Sequence, residues 1–393
     1  MKIIYYSPNP ALGLNDPAGY ATHMKEMILA FENLGNEVLP VIMGNSDTGF
    51  IKVTRKRNGI IMHLIKQILP GIVWETVKDF FLFQQDRQFQ TILEHKISGF
   101  SPDLIYERAS YGQLSGILAA LHHKVSHIAE VNAPLVDERI NLSGRSFLSG
   151  KASRKEKFLL ERTSSVALVS SELKKYFVKK YHLNGSGILV TPNAINPSDK
   201  LSDKGSIDNL KKNLGLKGET VIGFTGSLFP WHGVDLLLDA FFETEKFFPE
   251  IRLLIVGAGG IYDELRDRAK SSGIGAKIIF TGNVPHPEVS DYISLMDICV
   301  MAKSNWYGSP VKIFEYGLCG KAIIAPDTSP VKEVLSDGIE GILVGPDVSN
   351  LAAAIKKLLA DPALRESMGK SFQKKVLKEY TWTRNAEAVL SNK

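Results

Sequence analysis

The chain has 393 residues, 44% of them hydrophobic, with 47 Lys and Arg against 42 Asp and Glu. That length suits two α/β domains better than one, and the apolar content supplies a sizeable core. The two cysteines, Cys299 and Cys319, lack metal-ligand spacing, which excludes a disulfide framework and fits a reducing cytosol. The opening MKIIYYSPNP is too short and polar for a signal peptide, and no apolar run reaches the ~18 residues of a membrane span. Residues 1–195 carry 23 basic against 17 acidic side chains, so the first half is expected to meet an anionic surface or substrate, or simply to present a solvated basic face.

In chain order, KIIYYS reads as a buried strand. A loop containing Gly13 and Gly19 follows, then a helix from about Ala21 to Leu34, then the strand NEVLPVIM. The glycines do not spell G-x-G-x-x-G, so a nicotinamide fingerprint is absent. Residues 60–83 have helical apolar spacing interrupted near Pro70–Gly71, with Lys52, Arg55, Lys56 and Arg57 before them. This is either a helical hairpin on the domain core or an in-plane helix with a basic collar at an anionic membrane. SPDLIYER is a strand, 111–123 a helix, and SHIAEVNAP a strand ending at Glu130, Asn132 and Pro134. Residues 136–150 read as a mobile polar loop. SSVALVSS, a helix over 171–182 and GILVTPNAI complete a parallel sheet. The polar stretch 196–216 reads as the interdomain linker.

The second half repeats the alternation. ETVIGFTGS is a strand, SLFPWHG a loop, VDLLLDAFFETEKF a helix. IRLLIVGAGG, KIIFTGNVP, ICVMAK, KAIIAP and GILVG are further strands, and a helical pair spans 349–379. IVGAGG lacks the third glycine of a dinucleotide motif, Tyr262 standing there.

Between ICVMAK and KAIIAP the sequence KSNWYGSPVKIFEYGLCG concentrates the unusual residues. Ser309 suits an N-cap, Pro310 a first helical position and Gly320 a stop. Backbone N–H groups and the positive end of the helix dipole would then sit at a strand's carboxyl edge, where parallel α/β folds hold phosphates. Lys312 adds a cation in the first turn, and Glu315 leans back far enough to reach hydroxyls beside a bound phosphate. The other reading is an ordinary strand–helix connection with Glu315 solvated. S-P-V-K is dismissed as a penicillin-binding signature, since S-D-N and K-T-G are missing, and GLCGK is too short for a Walker A loop.

Together GFTGSLFPWHGVDLLLDAF, LLIVGAGG, IIFTGNVPHPEVSDYISLMDICV, YGSPVKIFEYGLCGKAIIAPD and YTWTRNA resemble glycosyltransferase family 4, with weaker likeness at Gly19–His23, LIYER, EVNAP and VTPNAI. The resemblance covers essentially the whole chain. It implies a GT-B fold of two Rossmann-like doubly wound domains facing a cleft: 1–195 on the acceptor side, 196–379 holding a nucleotide sugar, and 380–393 crossing back as a helix. It implies a retaining transferase that needs no metal, consistent with the absence of a D-x-D pair, so that protein cations neutralise the diphosphate. Glu315 matches the ribose-binding second glutamate of the family motif, and Tyr307 replaces the first, eight positions earlier. The family's diphosphate-binding Arg and Lys fall near Ser227 and His232, leaving Lys312 and a protonated His232 to share the diphosphate charge. Asn132 stands where relatives carry a histidine at the donor sugar, with Glu130 two residues before it. The expected site is therefore Glu130 and Asn132 at the reacting centre, with Gly19, Ser227, His232, Val284, Tyr307, Ser309, Val311, Lys312 and Glu315 on the donor. The backbone near Val284 is expected to hold the base. The expected acceptor is a glycan or lipid-linked hydroxyl, with membrane contact through 52–83, at the inner face of a membrane in the cytoplasm. Nucleic acid is not expected as a partner. A non-catalytic nucleotide-sugar binder is the alternative, and an epimerase on the same fold a third reading.

Overall fold

The computed structural model describes residues 1–16, 19–45, 69–198 and 203–393. They form two compact units: Met1–Pro192 with Trp382–Lys393, and Asn193–Thr381.

The first unit runs β1 (Lys2–Ser7), α1 (Gly19–Asn33), β2 (Glu37–Ile42), α2 (Gly71–Phe100), β3 (Leu104–Arg108), α3 (Ser115–His123), β4 (Ser126–Val131), α4 (Leu135–Ser143), α5 (Ser149–Arg162), β5 (Ser165–Leu168), α6 (Ser171–Tyr181) and β6 (Ile188–Val190). Its six strands are all parallel, in the order β2-β1-β3-β4-β5-β6. The chain returns to this unit at Trp382, whose indole packs edge-on against His23 with ring centroids 4.6 Å apart.

Two expectations change here. The segment 52–68 lies outside the described residues, and from Gly71 onward the helix continues for 30 residues. It buries Asp79 and Asp86 because both have tertiary partners: Asp79 accepts the Tyr111 hydroxyl (2.8 Å), and Asp86 accepts the N–H groups of Leu114 (2.8 Å) and Ser115 (3.1 Å) at the start of α3. The segment 136–150 is largely helical, in α4 and the start of α5, around a turn at Gly144 with φ +93°. Its polarity serves tertiary partners: Arg139 bridges Glu75 and Asp79, and the Ser146 hydroxyl donates to Asp79 (2.5 Å). A composition that suggests a solvated loop is here consumed by buried carboxylates of α2.

The second unit runs α7 (Lys204–Asn213), β7 (Thr220–Thr225), α8 (Val234–Glu245), β8 (Ile251–Val256), α9 (Tyr262–Ser271), β9 (Ile278–Gly282), α10 (Val289–Ser294), β10 (Ile298–Val300), α11 (Val311–Leu318), β11 (Ala322–Pro326), α12 (Ser329–Lys332), β12 (Ile342–Val344), α13 (Val348–Ala360) and α14 (Pro362–Glu379). A final helix, α15 (Trp382–Leu390), belongs to the first unit. The second sheet is also parallel, ordered β12-β11-β10-β7-β8-β9. Alternate strand residues enter opposite cores. Ile222, Ile298, Val300 and Ile324 join one, and Val221, Cys299, Met301 and Ile323 the other. That is the pattern of a sheet covered on both faces. The polar stretch read as a linker contains α7, capped by Asp203, whose side chain accepts the Ser206 N–H at 3.0 Å. The unit begins at Asn193 rather than after 195, because the Ile195 N–H donates to the Tyr380 carbonyl at 2.9 Å and Ile195 bridges Thr381.

Candidate functional site

At the carboxyl edge of the second sheet, Gly226 follows β7 with φ +129°, and a short helical turn Pro230–His232 leads into α8. Two backbones lie in contact here. A Cβ on Gly257 would stand 2.0 Å from the Gly226 carbonyl oxygen, and one on Gly259 2.3 Å from that of Leu228. The IVGAGG glycines thus seat the β8 loop against the β7 loop, the close approach that only glycine permits. Leu228 donates to Ala258 O at 3.0 Å and Ile261 to Leu228 O at 3.2 Å, pinning the turn.

The helix α11 is fixed against β7 by Tyr316, whose buried hydroxyl accepts the Thr225 N–H at 2.9 Å. Gly317 admits Phe372 of α14, since a Cβ there would meet that ring at 2.7 Å. The cap differs from expectation. Pro310 is the N-cap, and Ser309 is buried with its hydroxyl accepting the Asn193 N–H at 2.9 Å, while the Asn193 amide donates to the Ser309 carbonyl. Pro310 holds extended backbone (φ −75°, ψ 121°), so the helix starts at Val311 with first-turn N–H groups lacking helical acceptors. The helix ends at Leu318, and Gly320 follows at φ +63°.

Lys312 is the centre of this edge. Its ammonium is buried and has no hydrogen-bond partner among the described residues, 4.2 Å from the centroid of the Phe224 ring. A Cβ on Gly226 would lie 3.0 Å from Nζ. Burial pulls its pKa down to about 7, against a smaller raising pull from Glu315. His232 donates from Nδ1 to the Ser227 carbonyl at 2.5 Å. Burial first, then the Lys312 charge, lower its pKa to about 4, so at neutral pH it offers Nε2 as a lone pair and no charge. That lowered pKa runs against the expectation that a protonated His232 shares diphosphate charge. The Lys303 stem lies over Gly233, and its N–H donates to the His232 carbonyl at 3.3 Å. Ser227 is exposed beside this turn.

Glu315 is partly exposed, with His286 Nε2 3.5 Å from its carboxylate. Val284 sits half-buried in the loop after β9, packed on the core, two residues before His286. Tyr307 lies in the loop entering α11, edge-on to Trp306 with centroids 5.1 Å apart.

The remaining expected residues belong to the first unit. Gly19 opens α1. Glu130, buried at the end of β4, meets His23 Nε2 at 3.0 Å, Arg108 Nη1 at 2.5 Å and Asn132 Nδ2 at 2.5 Å. Burial pushes the Glu130 carboxyl up, but His23, Arg108 and Asn132 outweigh it and hold it well below the usual carboxylate range. Asn132 Oδ1 is buried with no hydrogen-bond partner among the described residues. Glu130 thus anchors Arg108 and His23 and orients Asn132. Sequence reasoning missed His23, Arg108, Asn193 and Tyr316. The first three lie in stretches that already carried the weak likeness, Gly19–His23, LIYER and VTPNAI.

Among the described residues, one group has metal-ligand spacing: Glu94, His122 and His123, with donor atoms within 4.8 Å of one another, on α2 and α3. None of the residues around Lys312 belongs to it.

Residues 206–375 match the family model described as glycosyl transferases group 1. Over 185 residues the chain is 28% identical to a GDP-mannose-dependent alpha-(1-6)-phosphatidylinositol monomannoside mannosyltransferase of Mycolicibacterium smegmatis, covering 45% of this chain and 48% of that protein. It is 26% identical over 163 residues to alpha-D-kanosaminyltransferase of Streptomyces kanamyceticus, covering 41% and 42%. The chain spans about half the length of these curated relatives. The crystal structure of Anabaena Alr3699/HepE in complex with UDP superimposes with TM-score 0.74 at 17% identity, over 100% of this chain and 99% of that one. WaaG, a glycosyltransferase involved in lipopolysaccharide biosynthesis, gives 0.67 at 13%, over 99% of each. Residues 206–375 thus resemble the group 1 glycosyl transferases, and the two Rossmann-like sheets have the GT-B fold of these solved structures.

Proposed function

We propose that this protein transfers a sugar from a nucleotide diphosphate sugar to a hydroxyl acceptor, with retention at the anomeric carbon. The buried Lys312 ammonium beside the α11 start, without a hydrogen-bond partner among the described residues, carries this reading. Such a group costs stability unless an anion completes it. The diphosphate would lie on the amides of Val311 and Lys312 beyond Ser309, near Gly226 and Ser227, with Glu315 on the ribose and the Val284 backbone on the base. Helix dipole and ammonium would take up the charge that grows on the leaving diphosphate without a metal. That diphosphate would also accept the acceptor's proton, so no separate protein base is needed. In the first unit, Glu130 would hold Asn132 with its free Oδ1 toward a sugar hydroxyl, and Gly19 would let the α1 start approach the ligand. The relatives' names supply both UDP and GDP-mannose, so the base is open.

Glycolipid or cell-envelope glycan synthesis is the setting suggested by the phosphatidylinositol mannoside and lipopolysaccharide relatives. No helix among the described residues is long and apolar enough to cross a membrane. An anionic membrane surface is the proposed docking partner of the first unit. There Ile72, Phe80 and Phe81 of α2 are exposed, and Phe147 is held beside them by its N–H donating to Thr76 Oγ1 at 2.9 Å. Arg145 and Lys151 are exposed next to Phe147 in sequence. The proposed location is the cytoplasmic face of such a membrane.

The test is a thermal-shift and calorimetric panel of nucleoside diphosphates and their sugars. Lys312→Ala and Glu315→Ala should each weaken nucleoside diphosphate binding by about tenfold or more. Unchanged affinity in both variants would sink the placement. A non-catalytic binder is the competing reading, favoured by Tyr307 and by neutral His232; donor binding without transfer to any glycan or lipid-linked acceptor would select it.

A further inference from the structure

We infer that Trp231 is a stacking platform for a pyranose ring beside the Lys312 anion site. One face of the indole is covered by Phe229, with centroids 4.6 Å apart and planes 10° apart. The residue is nevertheless 52% exposed, so the opposite face is open. An aromatic side chain left in water, backed and oriented by a second ring, is costly unless something covers it. Its position is fixed rather than incidental. Leu228 anchors the turn through the two backbone bonds to the β8 loop, and Gly260 passes beneath Phe229, where a Cβ would meet the ring at 3.6 Å. The neighbouring residue in the turn is His232, whose ring is edge-on to Trp231 at 6.1 Å, and the Lys312 charge reaches that imidazole. A second exposed indole, Trp306 at 47%, occupies the loop that enters α11.

The ligand chemistry follows from these neighbours. The axial C–H groups of a hexose form an apolar, weakly positive face that suits the negative face of an indole, and its hydroxyls stay in water. A donor sugar attached to a diphosphate held near Lys312, or an acceptor sugar whose hydroxyl attacks the donor's anomeric carbon and displaces that diphosphate, would lie beside the turn that carries Trp231. The inference therefore rests on the diphosphate reading for its location. The pyranose could come from the donor or from the acceptor.

Both sources are tested with Trp231→Ala and Trp231→Phe in the full chain. The first arm compares calorimetric affinities for UDP and GDP with those for UDP-glucose and GDP-mannose. The second arm uses saturation-transfer NMR with methyl α-glucoside, methyl α-mannoside and short α-linked oligosaccharides. A donor-derived ring predicts that Trp231→Ala lowers the affinity ratio of nucleotide sugar to nucleoside diphosphate by about fivefold, with Trp231→Phe recovering most of it. An acceptor-derived ring predicts that the glycoside signal disappears in Trp231→Ala and returns in Trp231→Phe. The inference is overturned if neither arm responds, or if Trp231→Ala weakens the bare nucleoside diphosphates as much as the sugars, which marks a residue that only packs the turn. Should the wild type bind no nucleoside diphosphate, the diphosphate reading fails by itself, and the glycoside arm still decides the platform.

Discussion

The Lys312 ammonium lies 4.2 Å from the centre of the Phe224 ring and donates to no hydrogen-bond acceptor among the described residues. A buried charge in that state is retained at a cost, which ties stability to function at one residue. Lys312→Met keeps the length and apolar stem and removes the charge. It should stabilise the second unit by about 1–3 kcal/mol near pH 7 while abolishing nucleoside diphosphate binding. The sign of the pH dependence is fixed. The folded pKa, about 7, lies below that of the unfolded chain, so between the two the unfolded state binds more protons and wild-type stability rises with pH. The gain from Lys312→Met should therefore be largest at or below pH 7 and shrink toward pH 10. Denaturant unfolding at several pH values measures it; a variant less stable than wild type at pH 7 would contradict the assignment.

Donor affinity should depend on pH through the same group. An anion stabilises the ammonium and raises its pKa, so binding above pH 7 must draw a proton from solution. Nucleoside diphosphate affinity should fall as pH rises from 7 to 9, by at most about tenfold per unit. Calorimetry in buffers of different ionisation enthalpy reads the proton uptake directly. Lys312→Arg, charged throughout, should flatten the slope.

In the first unit, Glu130→Gln should destabilise by about 3–5 kcal/mol, because it leaves Arg108 and His23 buried beside a neutral amide. The wild-type carboxyl is held below its usual range, so its contribution is complete above the ordinary carboxylate pKa and is lost only as pH falls toward the folded value. The gap between variant and wild type should thus be full at pH 7 and close in acid. Hydrogen exchange of α1 and β4 amides locates the effect; protection unchanged at pH 7 would rule out this anchoring role.

The exposed ring cluster of the first unit gives a surface prediction. Phe80→Asp with Phe147→Asp should reduce flotation with anionic liposomes by about tenfold, and added salt should weaken the wild type in turn. Equal flotation of wild type and variant would remove this face from consideration.

The alternation of strand and helix, the two sheets and the α11 start were all legible from local pattern, because periodicity and Gly/Pro punctuation act over a few residues. The same locality limited the reading. Ser309 has the composition of an N-cap, yet its hydroxyl is taken by Asn193, more than a hundred residues away in sequence. Residues 136–150 look like loop until Asp79 and Glu75 of α2 claim their polar groups. His232 looks like a cation until burial and the neighbouring Lys312 keep it neutral. By itself the sequence determined which residues could carry charge, turn the chain or enter a core. Which hydrogen bonds and charges meet, and hence which groups are left unsatisfied and available to a ligand, depended on contacts between distant segments, and those exist only once the sheets have packed.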